Sequence, residues 1–134
     1  MDRTDGLLEI SRKLQQFAQE RHWEQFHTPK NLASALVVEA AELLEPFQWL
    51  ITGDKAELGD SQYEAVRHEM ADVLAYLIML ADRLEIDLIE AAREKIALNA
   101  IKYPVEMVRG KSEKYSSYRD SVMSSEKTET KAGD

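Results

Sequence analysis

Two pairs of acidic residues carry the chemistry this sequence can support. Glu39 and Glu42 stand three residues apart, and so do Glu69 and Asp72. On a helix, residues at that spacing share a face, so each pair can converge on one point. Both pairs sit among apolar neighbours, Ala35 and Val38 beside the first and Val66, Met70 and Val73 beside the second. Ionised carboxylates near a core are very unfavourable unless cations hold them. Hard oxygen ligands in that number suit Mg²⁺ or Mn²⁺ rather than zinc. One such pair alone is an ordinary solvated face; two pairs beside apolar stripes fit that description less well. Glu45 extends the first row as a solvent-facing or supporting acid.

A basic row follows at Lys95, Asn99 and Lys102, spaced four and three. Two ammonium groups and an amide on one face can grip phosphate oxygens, although a solvated basic stripe has the same pattern. The aromatic set is Trp23, Phe26, His27, Trp49 and Tyr76. The two indoles are placed near helix ends, where they either stack on a base or finish a small core. Tyr76 lies four residues after Asp72, on the face of the acidic pair.

These residues need helices to hold them, and the periodicity predicts four. The first carries Leu7, Ile10, Leu14, Phe17 and Ala18 at intervals of three and four. Thr28-Pro29 reads as an N-cap followed by proline at the first helical position. The second helix, over residues 29–47, is apolar around most of its circumference, which calls for burial on several sides and for help from a partner subunit. Pro46 should kink or end it. Residues 50–60 form a loop. Ser61-Gln62-Tyr63-Glu64 is a candidate capping box for the third helix, with a stripe of Val66, Met70, Val73, Leu77, Leu80 and Leu84. Asp87-Leu88-Ile89-Glu90 opens the fourth, which Pro104 stops.

Composition narrows the function classes. The 134 residues contain no cysteine, which removes disulfides, thiolate ligands and cysteine nucleophiles. The net charge of −8 disfavours nucleic-acid backbones as partners. No signal-peptide pattern or membrane-length apolar run occurs, so the expectation is a soluble, cytoplasmic protein. With five glycines, no glycine-rich phosphate cradle is present. A ferritin-like di-iron bundle would need Glu-x-x-His pairs, whereas His68 directly precedes Glu69.

The sequence resembles the MazG-like all-α nucleoside triphosphate pyrophosphohydrolases, and among them the dCTP pyrophosphatase branch. The signature E-x-x-E, spacer, E-x-x-D stands as Glu39-Ala40-Ala41-Glu42 and Glu69-Met70-Ala71-Asp72. Arg21-His22-Trp23-Glu24-Gln25-Phe26-His27, Phe47-Gln48-Trp49, Asp72-Val73-Leu74-Ala75-Tyr76 and Lys102-Tyr103-Pro104 extend the likeness. Leu14 departs from it, standing where the vertebrate-type enzyme has histidine, and the loop over residues 50–60 is shorter.

The resemblance implies an all-α, four-helix bundle assembled as a homo-oligomer, a dimer or dimer of dimers. The likeness runs from about Leu7 to Tyr115, and the domain is expected over residues 1–110; beyond Gly110 the chain turns to Lys, Ser, Glu and Tyr with little periodicity, so residues 111–134 are expected to form a polar, mostly disordered tail. The resemblance further implies Mg²⁺-dependent cleavage of a nucleoside triphosphate, dCTP or a modified dCTP, to monophosphate and pyrophosphate. Glu42, Glu69 and Asp72 would hold the ion, with Glu39 as a further ligand or the group that polarises the attacking water. Trp23, His27, Trp49 and Tyr76 would line the base and sugar pocket, and Lys95, Asn99 and Lys102 would face the phosphates. The alternative is a helical oligomer that binds a partner and catalyses nothing.

Overall fold

A computed structural model describes residues 3–110 of the chain; the tail assigned to residues 111–134 lies outside the described residues. The described residues form five α-helices in order: α1 (Arg3–Glu20), α2 (Pro29–Leu44), α3 (Asp60–Arg83), α4 (Leu88–Lys102) and α5 (Val105–Val108). Short 3-10 turns fill Glu24–Phe26, Glu45–Phe47 and Lys55–Glu57, and no strand occurs among the described residues. The chain divides into two compact units, the first ending at Leu88 and the second beginning at Ile89.

Local chemistry sets the helix ends. The Thr28 hydroxyl accepts the Asn31 backbone N–H at 3.2 Å and Pro29 takes the first turn of α2, as the sequence predicts. Pro46 tightens the chain into the 3-10 turn that closes α2 at Leu44. The start of α3 differs from the expected Ser61–Glu64 box. Its cap is Gly59, whose backbone N–H donates to Gln62 Oε1 at 3.0 Å, and Ser61 falls inside the first turn. A glutamine two positions earlier than the expected glutamate caps the start of the helix, so the helix begins earlier.

α1 and α3 end alike. His22 and Glu85 take positive φ (53° and 56°), and paired bonds seal each end: His22 N–H to Gln19 O with Trp23 N–H to Ala18 O, and Glu85 N–H to Asp82 O with Ile86 N–H to Ala81 O. This is the Schellman arrangement, made here without glycine.

Within the first unit α2 and α3 form the main seam and run antiparallel. Glu39 meets Glu69 and Asp72 at one level, and Leu32 and Met79 line one cavity two turns away. α1 joins α3 through Ser11 Oγ, which donates to Asp82 Oδ2 at 2.6 Å. The Arg83 guanidinium also donates to the Glu24 carbonyl.

Among the described residues, Ser11, Ala18, Leu32, Val66, Ile78 and Ala81 are buried. The stripe expected to form the α3 core is therefore split: Val66 is buried, Val73 and Leu80 are half-buried, and Met70, Leu77 and Leu84 are exposed. Ile78 and Ala81, which lie outside that stripe, are buried instead. Periodicity identifies an apolar face and not the neighbour that covers it.

In the second unit Pro104 ends α4 and its carbonyl accepts from Met107 and Val108, opening α5, a turn the sequence did not announce. No helix among the described residues is long and apolar enough to cross a membrane.

Candidate functional site

The seam between α2 and α3 brings three of the four predicted acids together. Glu39, Glu69 and Asp72 each offer one carboxylate oxygen, and these oxygens lie within 4.8 Å of one another. Glu39 and Glu69 are half-buried and Asp72 is exposed. The geometry follows from spacing: Glu69 and Asp72 are one turn apart on one face of α3, opposite Glu39 on α2. Glu42, half-buried one turn further along α2, stands outside the trio but acts on Glu39.

The electrostatics are unfavourable for protein alone. Burial first, then a proton that Glu42 or Glu69 can share, then the negative charges of Glu42 and Asp72, push the Glu39 carboxyl up to about 7. With all these groups ionised, Glu39 Oε2 and Glu69 Oε2 are buried without a hydrogen-bond partner. No lysine, arginine or histidine pairs with any of the four acids among the described residues. Orphaned buried oxygens are rare and call for an explanation. Converging hard oxygen donors with unmatched negative charge fit a hard divalent cation, and that ion would satisfy both orphans.

The other predicted residues are more dispersed. Trp23 sets its ring edge-on to Phe17, centroids 5.8 Å apart, while the Arg21 guanidinium sits 3.4 Å above the other ring. Trp49 is 88% exposed at the end of the short turn after α2. The loop beyond it is pinned by the Glu57 carboxylate, which accepts from the backbone N–H groups of Ile51 (3.0 Å) and Thr52 (2.9 Å) and from the Thr52 hydroxyl. Tyr76 is half-buried on α3, one turn past Asp72. Lys95, Asn99 and Lys102 lie exposed along α4 in the second unit.

His27, half-buried, helps line a cavity of about 210 Å³ between α1, α2 and α3 that the sequence did not reveal. Its polar wall includes Gln15 and Asp82. Gln15 Nε2 approaches Asp82 Oδ2 at 3.3 Å, beside the bond from Ser11. One signal could have marked Asp82 in advance: it is an acid in the last turn of a helix, where the dipole disfavours negative charge.

Comparison with known proteins agrees with this fold. The model of the MazG-like family matches residues 35–117, which contain both acid pairs. The chain is 45% identical over 111 residues to the human dCTP pyrophosphatase 1 and 44% identical over 114 residues to the rat protein of that name. In each case the match covers 81% of this chain and 65% of the relative, so the chain spans just under two thirds of these relatives' length. The crystal structure of a pyrophosphatase from Archaeoglobus fulgidus superposes with a TM-score of 0.67 at 43% identity, covering 78% of this chain and 94% of that one. The all-α fold, the paired acids on its central seam and these matches agree: the chain belongs to the MazG-like family and is homologous to its dCTP pyrophosphatase branch.

Proposed function

We propose that this protein is a Mg²⁺-dependent nucleoside triphosphate pyrophosphohydrolase that converts a deoxynucleoside triphosphate, dCTP or a 5-modified dCTP, to the monophosphate and pyrophosphate. The observation that carries this is the carboxylate trio with its two orphaned oxygens. The names of the human and rat relatives and of the archaeal pyrophosphatase support the reaction class.

Glu42, Glu69 and Asp72 would hold Mg²⁺, or Mn²⁺ in its place, with Glu39 completing the set. The ion, when bound, supplies Lewis acidity toward the phosphate oxygens and toward water. Glu39 is the side chain to take the proton from the water that attacks the α-phosphorus, because its carboxyl is tuned near neutral pH and faces the other acids. Trp23, His27, Trp49 and Tyr76 would contact base and sugar, and Lys95, Asn99 and Lys102 would steady the phosphates. Catalysis then rests on positioning and electrostatics.

The same reading includes a homo-oligomer, a dimer or dimer of dimers. Val37 (68% exposed), Val38 (55%) and Leu44 (64%) on α2 and Met70 (57%) on α3 leave an apolar surface for another copy to cover.

The test is to incubate the protein with Mg²⁺ and a panel of dNTPs, NTPs and 5-substituted dCTPs, and to resolve products by anion exchange. Monophosphate plus pyrophosphate, fastest with dCTP or its analogues and abolished by EDTA, is the expected result. Diphosphate plus phosphate would place the attack at another phosphorus. No turnover by folded, metal-supplied protein would favour the non-catalytic binding module. Light scattering on a sizing column reads the assembly state.

A further inference from the structure

We propose that Asp82, braced by Ser11 and Gln15 in the cavity between α1, α2 and α3, reads the exocyclic amino group of a pyrimidine base and thereby sets nucleotide preference. This rests on the function proposed above and adds a residue that the acid signature and the aromatic set do not contain.

Position is the first argument. Leu32, on the cavity wall, lies seven residues before Glu39 on α2, and Met79, also on the wall, lies seven residues after Asp72 on α3. Seven residues are close to two helical turns, so each pair falls on one face, about 10 Å apart along the axis. The cavity and the carboxylates thus occupy one seam. A nucleotide with its phosphates at the acids would extend its base along that seam toward the cavity.

Size is the second. At about 210 Å³ the cavity is too small for a whole nucleotide. A cavity of roughly 150 Å³ accommodates a benzene ring, so one pyrimidine ring fits between the apolar side chains of Leu14, Ala18, Leu32 and Met79.

Donor chemistry is the third. An ionised carboxylate only accepts hydrogen bonds. Asp82 Oδ2 takes the Ser11 hydroxyl at 2.6 Å and the Gln15 amide at 3.3 Å, and Ser11 is buried. These bonds fix the carboxylate while Oδ1 keeps its acceptor capacity. An acceptor pairs with the amino group of cytosine and repels the carbonyl oxygen that uracil and thymine carry at that ring position. Asp82 sits where the helix dipole opposes it, so the two donors on α1 hold a charge that helix stability alone would not favour.

The experiment compares kcat/KM for dCTP and dUTP, with Mg²⁺, in the wild type, Asp82→Asn and Asp82→Ala. Wild type should prefer dCTP by at least about tenfold, the scale of one good base-edge contact. Asp82→Ala should bring the ratio close to one, mainly through KM for dCTP. Asp82→Asn, whose amide can donate to the uracil carbonyl, should move the ratio toward dUTP. Each ratio is read on one preparation, so partial unfolding lowers both rates together and leaves it unchanged. If neither variant folds, calorimetric titration of the wild type with dCMP and dUMP replaces them, and dCMP should bind at least about tenfold more tightly. Pyrophosphate release with an unaltered ratio in both variants, or equal affinities in the titration, would overturn this proposal alone; pyrophosphate release with no wild-type preference would overturn it together with the dCTP preference proposed above and leave the reaction class standing. Absence of pyrophosphate from every nucleotide would overturn the proposed function and this inference with it.

Discussion

Gly53 lies against the ring of Phe47, so close that a Cβ on it would stand 2.8 Å from Phe47 Cδ1. Its φ of +77° lies in the left-handed region that L side chains rarely adopt. Both facts oppose a side chain there. Gly53→Ala should therefore lose about 1–3 kcal/mol of stability, measurable as a lowered urea midpoint. Because the same turn carries Trp49, the variant should also raise KM more than it lowers kcat.

Removal of one acid should separate chemistry from folding. Glu42→Gln or Asp72→Asn is expected to lower turnover by at least about a hundredfold, which is the loss of roughly 2.7 kcal/mol of transition-state stabilisation. Helical content read by circular dichroism should stay at the wild-type value, since neither residue belongs to the buried core. Near wild-type activity in either variant would refute the proposed ion site.

Glu39 gives a pH dependence of defined sign. Its carboxyl is raised from 4.5 to about 7 in the folded protein, so over that window the folded state binds more protons than the unfolded one. Metal-free protein should be most stable with respect to this group below pH 4.5 and lose that contribution as pH rises through 7. Glu9, lowered by Lys13, and Glu57, lowered by Thr52 and the amides it holds, act with the opposite sign and lose their contribution only as pH falls below 4.5. Urea titrations in EDTA between pH 5 and 8 would show the decline; the apparent Mg²⁺ affinity should rise over the same range as protons stop competing.

Two helix ends offer stabilising substitutions. His22 and Glu85 occupy the left-handed position of their caps without being glycine. His22→Gly and Glu85→Gly should each raise stability by about 0.5–1 kcal/mol, offset in part by the greater freedom glycine has when unfolded. Thermal melts of the single and double variants check this, and the two gains should add because the sites share no partner.

That the acids of each pair share a helix face could be read from sequence, because their spacing matches the helical period; that Glu39 meets Glu69 and Asp72 depends on how α2 packs on α3. Thr28-Pro29 and Pro46 were legible because their effects are confined to one turn. The ends of α1 and α3 were not, because neither carries the glycine that marks such a cap. The Gly59–Gln62 cap was misplaced by two residues because Ser61 and Glu64 offered a more familiar pattern. The Ser11–Asp82 contact joins residues 71 apart, and no local pattern predicts which faces of α1 and α3 will meet. Exposure of Met70, Leu77 and Leu84 has a similar origin: their spacing shows that the face is apolar and leaves its neighbour undefined.

α3 runs from Asp60 to Arg83 without glycine or proline, so it is a continuous rod. Its rise of about 1.5 Å per residue sets the axial distance from Asp72 to Asp82 at about 15 Å. Deleting or inserting one residue between them would turn everything beyond by about 100°, carrying Asp82 away from Ser11 and Ala81 out of the core. The stretch from Asp72 to Asp82 therefore tolerates substitution at fixed register and not a change of length.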